Sequence, residues 1–234
     1  MNDTSSQSIL EQIVGGALSA SMAEQFATVL GVVGVWLMIK RKIAAFPIGL
    51  VQVSIFAWVC FHAGLYSETA LQVMFFCGLA YGWWHWTRGA ARARGAGGAE
   101  ERTQATELPV TLLPGRERVA WIAAALALWA AWGGIMVLVG ARAAWVDAFV
   151  FAIGVTSQVL QARKVLENWP GWLISNCVAV GLFWSQGFYW FAALYLVFAF
   201  MAVAGWREWT VAMRAQTRPV RDAEAVPRLA EARE

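Results

Sequence analysis

Long apolar stretches alternate with short polar ones along the whole chain. The stretches between charge clusters run for about 14 to 21 residues, and a helix of roughly 20 apolar residues crosses a hydrocarbon core of about 30 Å. The pattern predicts membrane helices over Phe26–Ile39, Ile43–His62, Thr69–Trp86, Val119–Val139, Ala148–Ala162, Trp169–Ser185 and Phe188–Trp206. That makes seven. Ile9–Met22 reads as an interfacial amphipathic segment, because a first helix beginning near Ile13 would draw Ser19, Ser21, Glu24 and Gln25 into the bilayer.

Composition agrees with the pattern. Hydrophobic residues make up 59% and charged residues 14% of the 234 positions, against roughly 45 to 50% and about 25% in soluble globular domains. This excludes an ordinary water-soluble fold. Basic residues mark alternate loops: Lys40, Arg41 and Lys42; Arg88, Arg92 and Arg94; Arg163 and Lys164; and Arg207, Arg214, Arg218 and Arg221. The opposite loops hold His62 and Glu68, Arg142 and Asp147, and no charge around Gln186. The bias predicts an outside N-terminus and a cytoplasmic C-terminus. The first twenty residues lack the basic start of a cleaved secretory signal.

Residues 87–118 shift to Ala, Gly, Arg and Glu with Pro109 and Pro114, as a cytoplasmic linker would. The expected organisation is an N-terminal segment over 1–23, a first repeat over 24–86, the linker over 87–118, a linker helix over 119–140, a second repeat over 145–209 and a cytoplasmic tail over 210–234. Cys60, Cys77 and Cys177 lie inside apolar runs without metal or redox spacing and read as small buried hydrophobes.

Shifting the sequence by 123 positions aligns Glu24–Trp86 with Asp147–Trp209 without a gap. Fourteen of the 63 pairs are identical, among them Pro47/Pro170, Gly31/Gly154, Gly64/Gly187, Tyr66/Tyr189, Phe75/Phe198, Gly82/Gly205, Trp83/Trp206 and Trp86/Trp209. Such self-similarity marks a duplicated unit. A single intervening helix returns the chain to its starting side, so the two three-helix units point the same way, and transporters built like this bind solutes near the midplane where the repeats meet. The first and fifth expected helices are short, about 21 to 23 Å at 1.5 Å per residue, and short segments at matching positions point to a binding site.

No Asp, Glu, Lys or Arg falls near the middle of an expected helix. Ion-coupled carriers commonly use such a group, so the pattern favours facilitated transport. The polar groups within the membrane are Gln52, Gln72, Ser157, Gln158, Gln161 and Asn176, which can bind a neutral polar solute or bridge helices. Trp169, Trp172 and Asn176 follow i, i+3, i+7 spacing on one helix face, with the amide about 10 Å deeper than the first indole. That face suits a planar ring with an amide partner. Gln158, Gln52 and Phe46, the repeat counterpart of Trp169, are further candidates. Trp83, Trp86, Trp206 and Trp209 read as an interfacial belt, and His62 and His85 as interfacial residues.

The segments FPIGLVQVSIF, GLYSETALQVMFF, YGWWHW and ARKVLENWPGWLISN resemble the PnuC family of bacterial vitamin transporters across roughly Glu24 to Trp209. The resemblance implies an all-α integral membrane fold of seven helices in a 3+1+3 parallel repeat, like full-length SWEET transporters. It implies facilitated uptake of nicotinamide riboside across the inner membrane, with trapping by intracellular phosphorylation. A WxxWxxxN motif and a glutamine on the third helix line the substrate site in the family, which carries over to Trp169, Trp172, Asn176 and Gln72. Relatives commonly have asparagine at the position of Gln52, and related members prefer thiamine or riboflavin.

A SWEET-like sugar carrier is the alternative within the transport class, and the indoles beside amides favour a heteroaromatic solute over it. A membrane enzyme would require an intramembrane acid, a histidine cluster or a large folded loop, and the sequence offers none. The expected partners are a small-molecule substrate and the lipid bilayer. No cofactor, metal or nucleic acid is implied, and a homo-oligomer stays open.

Overall fold

The computed structural model describes residues 3–62, 66–96, 109–141 and 143–231. These form eight helices: α1 (Asp3–Ser19), α2 (Met22–Ile39), α3 (Ala45–His62), α4 (Tyr66–Ala96), α5 (Gly115–Leu138), α6 (Ala144–Ala162), α7 (Asn168–Ser185) and α8 (Tyr189–Glu231). Gly64, Arg142, the centre of the expected linker (97–108) and the last residues of the tail lie outside the described residues.

Among the described residues, α2, α3, α5, α6 and the first part of α8 have the length and apolar composition to cross a membrane. Their outer faces leave Val29, Trp58, Leu126, Val137 and Phe200 about half or more exposed, more apolar surface than a soluble monomer tolerates. The molecule is an all-α, multi-spanning membrane protein. Helices suit that solvent because each one satisfies its own backbone groups where water is absent.

Local chemistry sets the helix limits. The first expected span begins four residues early, at Met22, because Ser21 caps α2. Its hydroxyl accepts from the Glu24 amide at 3.2 Å, and the Glu24 carboxylate accepts from the Ser21 amide at 2.6 Å. α2 therefore reaches 18 residues, while α6, which starts at Ala144 without a side-chain cap, reaches 19, and the short pair expected from hydropathy is corrected to two helices of ordinary spanning length. The N-terminal segment forms α1, which packs on α8, where Gly16 leaves room for Trp190.

α2 and α6 end in the same way. Arg41 and Lys164, 123 positions apart, take left-handed φ values of 54° and 60°. The amides of Arg41 and Lys42 donate to Met38 and Leu37, and those of Lys164 and Val165 to Gln161 and Leu160, at 2.9 to 3.0 Å. This is the Schellman stop usually built on glycine. A basic residue there bears a steric cost of about 1–2 kcal/mol, offset in part by its charge at the negative end of the helix.

α2, α3 and α4 pack in sequence, as do α6, α7 and α8, while α5 lies on α6. Two further contacts join the sets: α4 against α6, and α8 against α2. The largest buried cluster sits at that junction and includes Met38, Ile39, Phe46, Trp86, Trp169 and Trp209. The belt expected for Trp86 and Trp209 is thus corrected, since both are buried at 3% and 0% exposure. Trp83 and Trp206 are exposed.

The linker and tail are more ordered than their composition suggests. α4 continues to Ala96 and α8 to Glu231. Thr111 pairs with the α6–α7 turn, its amide donating to Lys164 and its carbonyl accepting from Leu166. Val110 and Leu113 are buried beside it. The Glu167 carboxylate accepts from the Leu113 amide at 3.1 Å and from Arg118 at 2.9 Å.

Candidate functional site

α7 opens with Trp169, Trp172 and Asn176, which its 3.6-residue turn stacks along one face. That face meets α4, which contributes Gln72, Phe75 and Leu79, and α8, which contributes Tyr195 and Phe198. Gln52 and Phe56 enter from α3, and Gln158 and Gln161 from α6. Together they enclose a cavity of about 210 Å³.

The lining pairs up across the repeat. Val35 and Gln158, Val53 and Asn176, Gln72 and Tyr195, Phe75 and Phe198, and Leu79 and Ala202 all line the cavity, and each pair is 123 positions apart. The cavity therefore lies on the seam between matching helices. Its chemistry is one-sided: α6 brings two amides where α2 offers Val35 and Met38, and α7 brings Trp172 where α3 has Gly49.

Six of the seven residues singled out from sequence line this cavity: Trp169, Trp172, Asn176, Gln72, Gln158 and Gln52. Phe46 does not. It is fully buried against the α4 backbone at Gly82 and edge-on to Trp86, ring centroids 5.0 Å apart. Trp169 is seated in the same manner, its ring against Gly205 and edge-on to Trp209 at 5.3 Å. The repeat relation thus holds for packing, but only the larger indole reaches the cavity from this position.

Two buried donors in the wall have no protein partner, Gln158 Nε2 and Trp169 Nε1. The Trp172 indole is bound, donating to Gln161 Oε1 at 3.2 Å, and lies edge-on to Phe75 with centroids 5.5 Å apart. A buried donor without an acceptor costs on the order of 1–3 kcal/mol. The indoles and amides that line the cavity suit a solute with a flat apolar face and polar substituents. The residues that sequence reasoning passed over, Tyr195 and Phe198, are the repeat counterparts of Gln72 and Phe75. The offset that revealed the duplication was the signal for them.

A multi-spanning helical fold that encloses an indole-and-amide cavity between matching halves is that of a solute transporter. A family model described as "Nicotinamide mononucleotide transporter" matches residues 21–211, and the chain belongs to that family of transporters. It is a transporter rather than an enzyme. The chain is 28% identical to the nicotinamide riboside transporter PnuC of Escherichia coli (strain K12), over 89% of this chain and 94% of that protein. It is 25% identical to the riboflavin/roseoflavin transporter RibM of Streptomyces davaonensis, over 85% and 89%. Its fold is similar to the crystal structure of the vitamin B3 transporter PnuC, with a TM-score of 0.67 at 21% identity, over 92% of this chain and 94% of that one.

Proposed function

We propose that this chain takes up nicotinamide riboside across the bacterial inner membrane by facilitated diffusion, with intracellular phosphorylation trapping the product. In this reading α2–α4 and α6–α8 are two parallel three-helix units joined by α5, seven spans in all. The N-terminus is outside and the C-terminus cytoplasmic, as the basic loops require. The unit boundaries are those of the 123-residue repeat.

The observation that carries the reading is the cavity wall, which sets Trp169, Trp172 and Phe75 beside the amides of Gln72, Gln158 and Asn176. Nicotinamide riboside has a planar cationic ring, a carboxamide and a ribose. A desolvated cation over an indole face gains about 2 kcal/mol. Asn176 or Gln72 would pair with the carboxamide, and Gln158 would add a further amide to the wall. Moving one positive charge inward gains about 2.3 kcal/mol per 100 mV, so uptake proceeds without a coupled ion. Phosphorylation then removes the net positive charge that the cavity favours.

A related vitamin is the second reading, favoured by the 25% identity to a riboflavin transporter. Thiamine also presents a cationic ring. Titration calorimetry of the detergent-purified protein with nicotinamide riboside, thiamine and riboflavin decides among them. Selective binding of nicotinamide riboside supports the proposal, and selective binding of another vitamin, or of none, overturns the substrate assignment.

A further inference from the structure

The indole N–H of tryptophan is a donor only, and burying it without an acceptor is costly. Trp86, Trp129 and Trp209 donate to backbone carbonyls. Trp172 instead donates to a side chain, Gln161 Oε1, on the neighbouring helix α6. Gln161 is 7% exposed. The bond fixes both partners: the indole accepts one orientation, and the Gln161 amide turns its oxygen toward it and its NH2 end away.

One turn earlier on the same helix face stands Gln158, whose Nε2 is buried with no partner. Its stem lies against Gly78 of α4, where an added Cβ would sit 2.5 Å from Gln158 Cγ. Thus α6 presents two amides of the same chemistry in different states. One is spent on Trp172, and one is free.

We propose that Gln161 is a positioning residue for transport, holding the Trp172 indole in the plane that a flat solute stacks on. This rests on the transport reading above and adds a residue to it whose part is to hold Trp172. The argument is geometric. The indole χ2 torsion is broad and roughly two-fold, and Trp172 is only half-buried, with an edge contact to Phe75 on one side. The bond to Gln161 adds a directional contact to the ring's packing against the core cluster. The other half has Met38 at the matching position, which cannot accept the bond with comparable strength, and has no indole to hold.

The test combines a ligand-free readout with a binding readout on the full chain. In detergent-solubilised protein carrying ¹⁵N-labelled tryptophan, Trp172→Phe identifies the Trp172 indole resonance by its disappearance. That resonance should move upfield and exchange faster in Gln161→Met, and should stay hydrogen-bonded in Gln161→Glu, which keeps an oxygen at the same reach. Titration with nicotinamide riboside, thiamine and riboflavin then completes a double-mutant cycle. Gln161→Met should weaken binding roughly three- to tenfold in the Trp172 background and have no further effect in the Trp172→Phe background, where the N–H is gone.

An unmoved resonance, or equal losses in both backgrounds, overturns the positioning role. Should Gln161→Met not fold, a Trp172 resonance in Gln161→Glu that matches free indole would overturn it as well. Binding of none of the three vitamins would sink the substrate assignment, while the indole resonance would still decide whether Gln161 holds Trp172.

Discussion

Trp86 and Trp209 occupy matching positions in the repeat, and each indole donates to the end of the first helix in the other half. Trp86 Nε1 donates to the Ala162 carbonyl at 3.0 Å, and Trp209 Nε1 to Ile39 at 3.2 Å and Met38 at 3.3 Å. Ala162 and Ile39 are themselves 123 positions apart. The Schellman turns satisfy the carbonyls one and two residues earlier and leave these final ones open. The indoles close them.

Trp209→Phe and Trp86→Phe keep most of the buried ring but leave a carbonyl without its donor. Each should cost about 1–3 kcal/mol, read as a lower unfolding temperature in detergent. An unchanged unfolding temperature in both variants would show that the cross-donated bonds add nothing to stability.

Gly205 and Gly181 give a controlled contrast. A Cβ at Gly205 would run into the six-membered ring of Trp169, whereas one at Gly181 meets nothing within 4 Å. Gly205→Ala should therefore displace Trp169 and weaken both folding, by about 1–3 kcal/mol, and solute binding. Gly181→Ala should be neutral or slightly stabilising by Ala's better helix propensity, up to about 1 kcal/mol. Paired thermal melts and titrations check both.

Trp172→Ala and Asn176→Ala should each weaken solute binding by about five- to thirtyfold, since each removes an interaction of about 1–2 kcal/mol, while melting stays near wild type. Both residues face the cavity, so little packing is lost. Parallel loss of binding and stability would assign them to helix packing instead.

Proteoliposome uptake should respond to membrane potential. For a singly charged cationic solute, about 2.3 kcal/mol per 100 mV corresponds to roughly fiftyfold accumulation at equilibrium. An inside-negative potassium diffusion potential should raise the level reached by nicotinamide riboside and leave that of an uncharged solute unchanged. Equal responses would rule out uniport of a cation.

Glu167 fastens the Val110–Leu113 segment that precedes α5. Glu167→Ala removes the acceptor shared by Arg118 and the Leu113 amide, so hydrogen exchange over Val110–Leu113 should speed up by about tenfold, equivalent to roughly 1.4 kcal/mol. Exchange in α1, which packs near Trp190 at the start of α8, should not change.

Much of this molecule was legible without coordinates because the bilayer imposes one-dimensional rules. Apolar runs of spanning length mark helices, and a fixed offset marks the paired positions that line the cavity. Even the i, i+3, i+7 face of Trp169, Trp172 and Asn176 follows from helix period alone. What the chain pattern left out was contact between distant segments. Hydropathy placed Trp86 and Trp209 at an interface, yet burial against the opposite half makes them part of the core. Composition read Val110 and Leu113 as linker, yet hydrogen bonds to the α6–α7 turn bury them. The same limit applies to the cavity: sequence names the amides of α6 but cannot say which is bound and which is free. That is decided where α6 and α7 meet, because a hydrogen bond depends on the separation and direction of two groups in space, and the spacing of residues along one helix does not contain it.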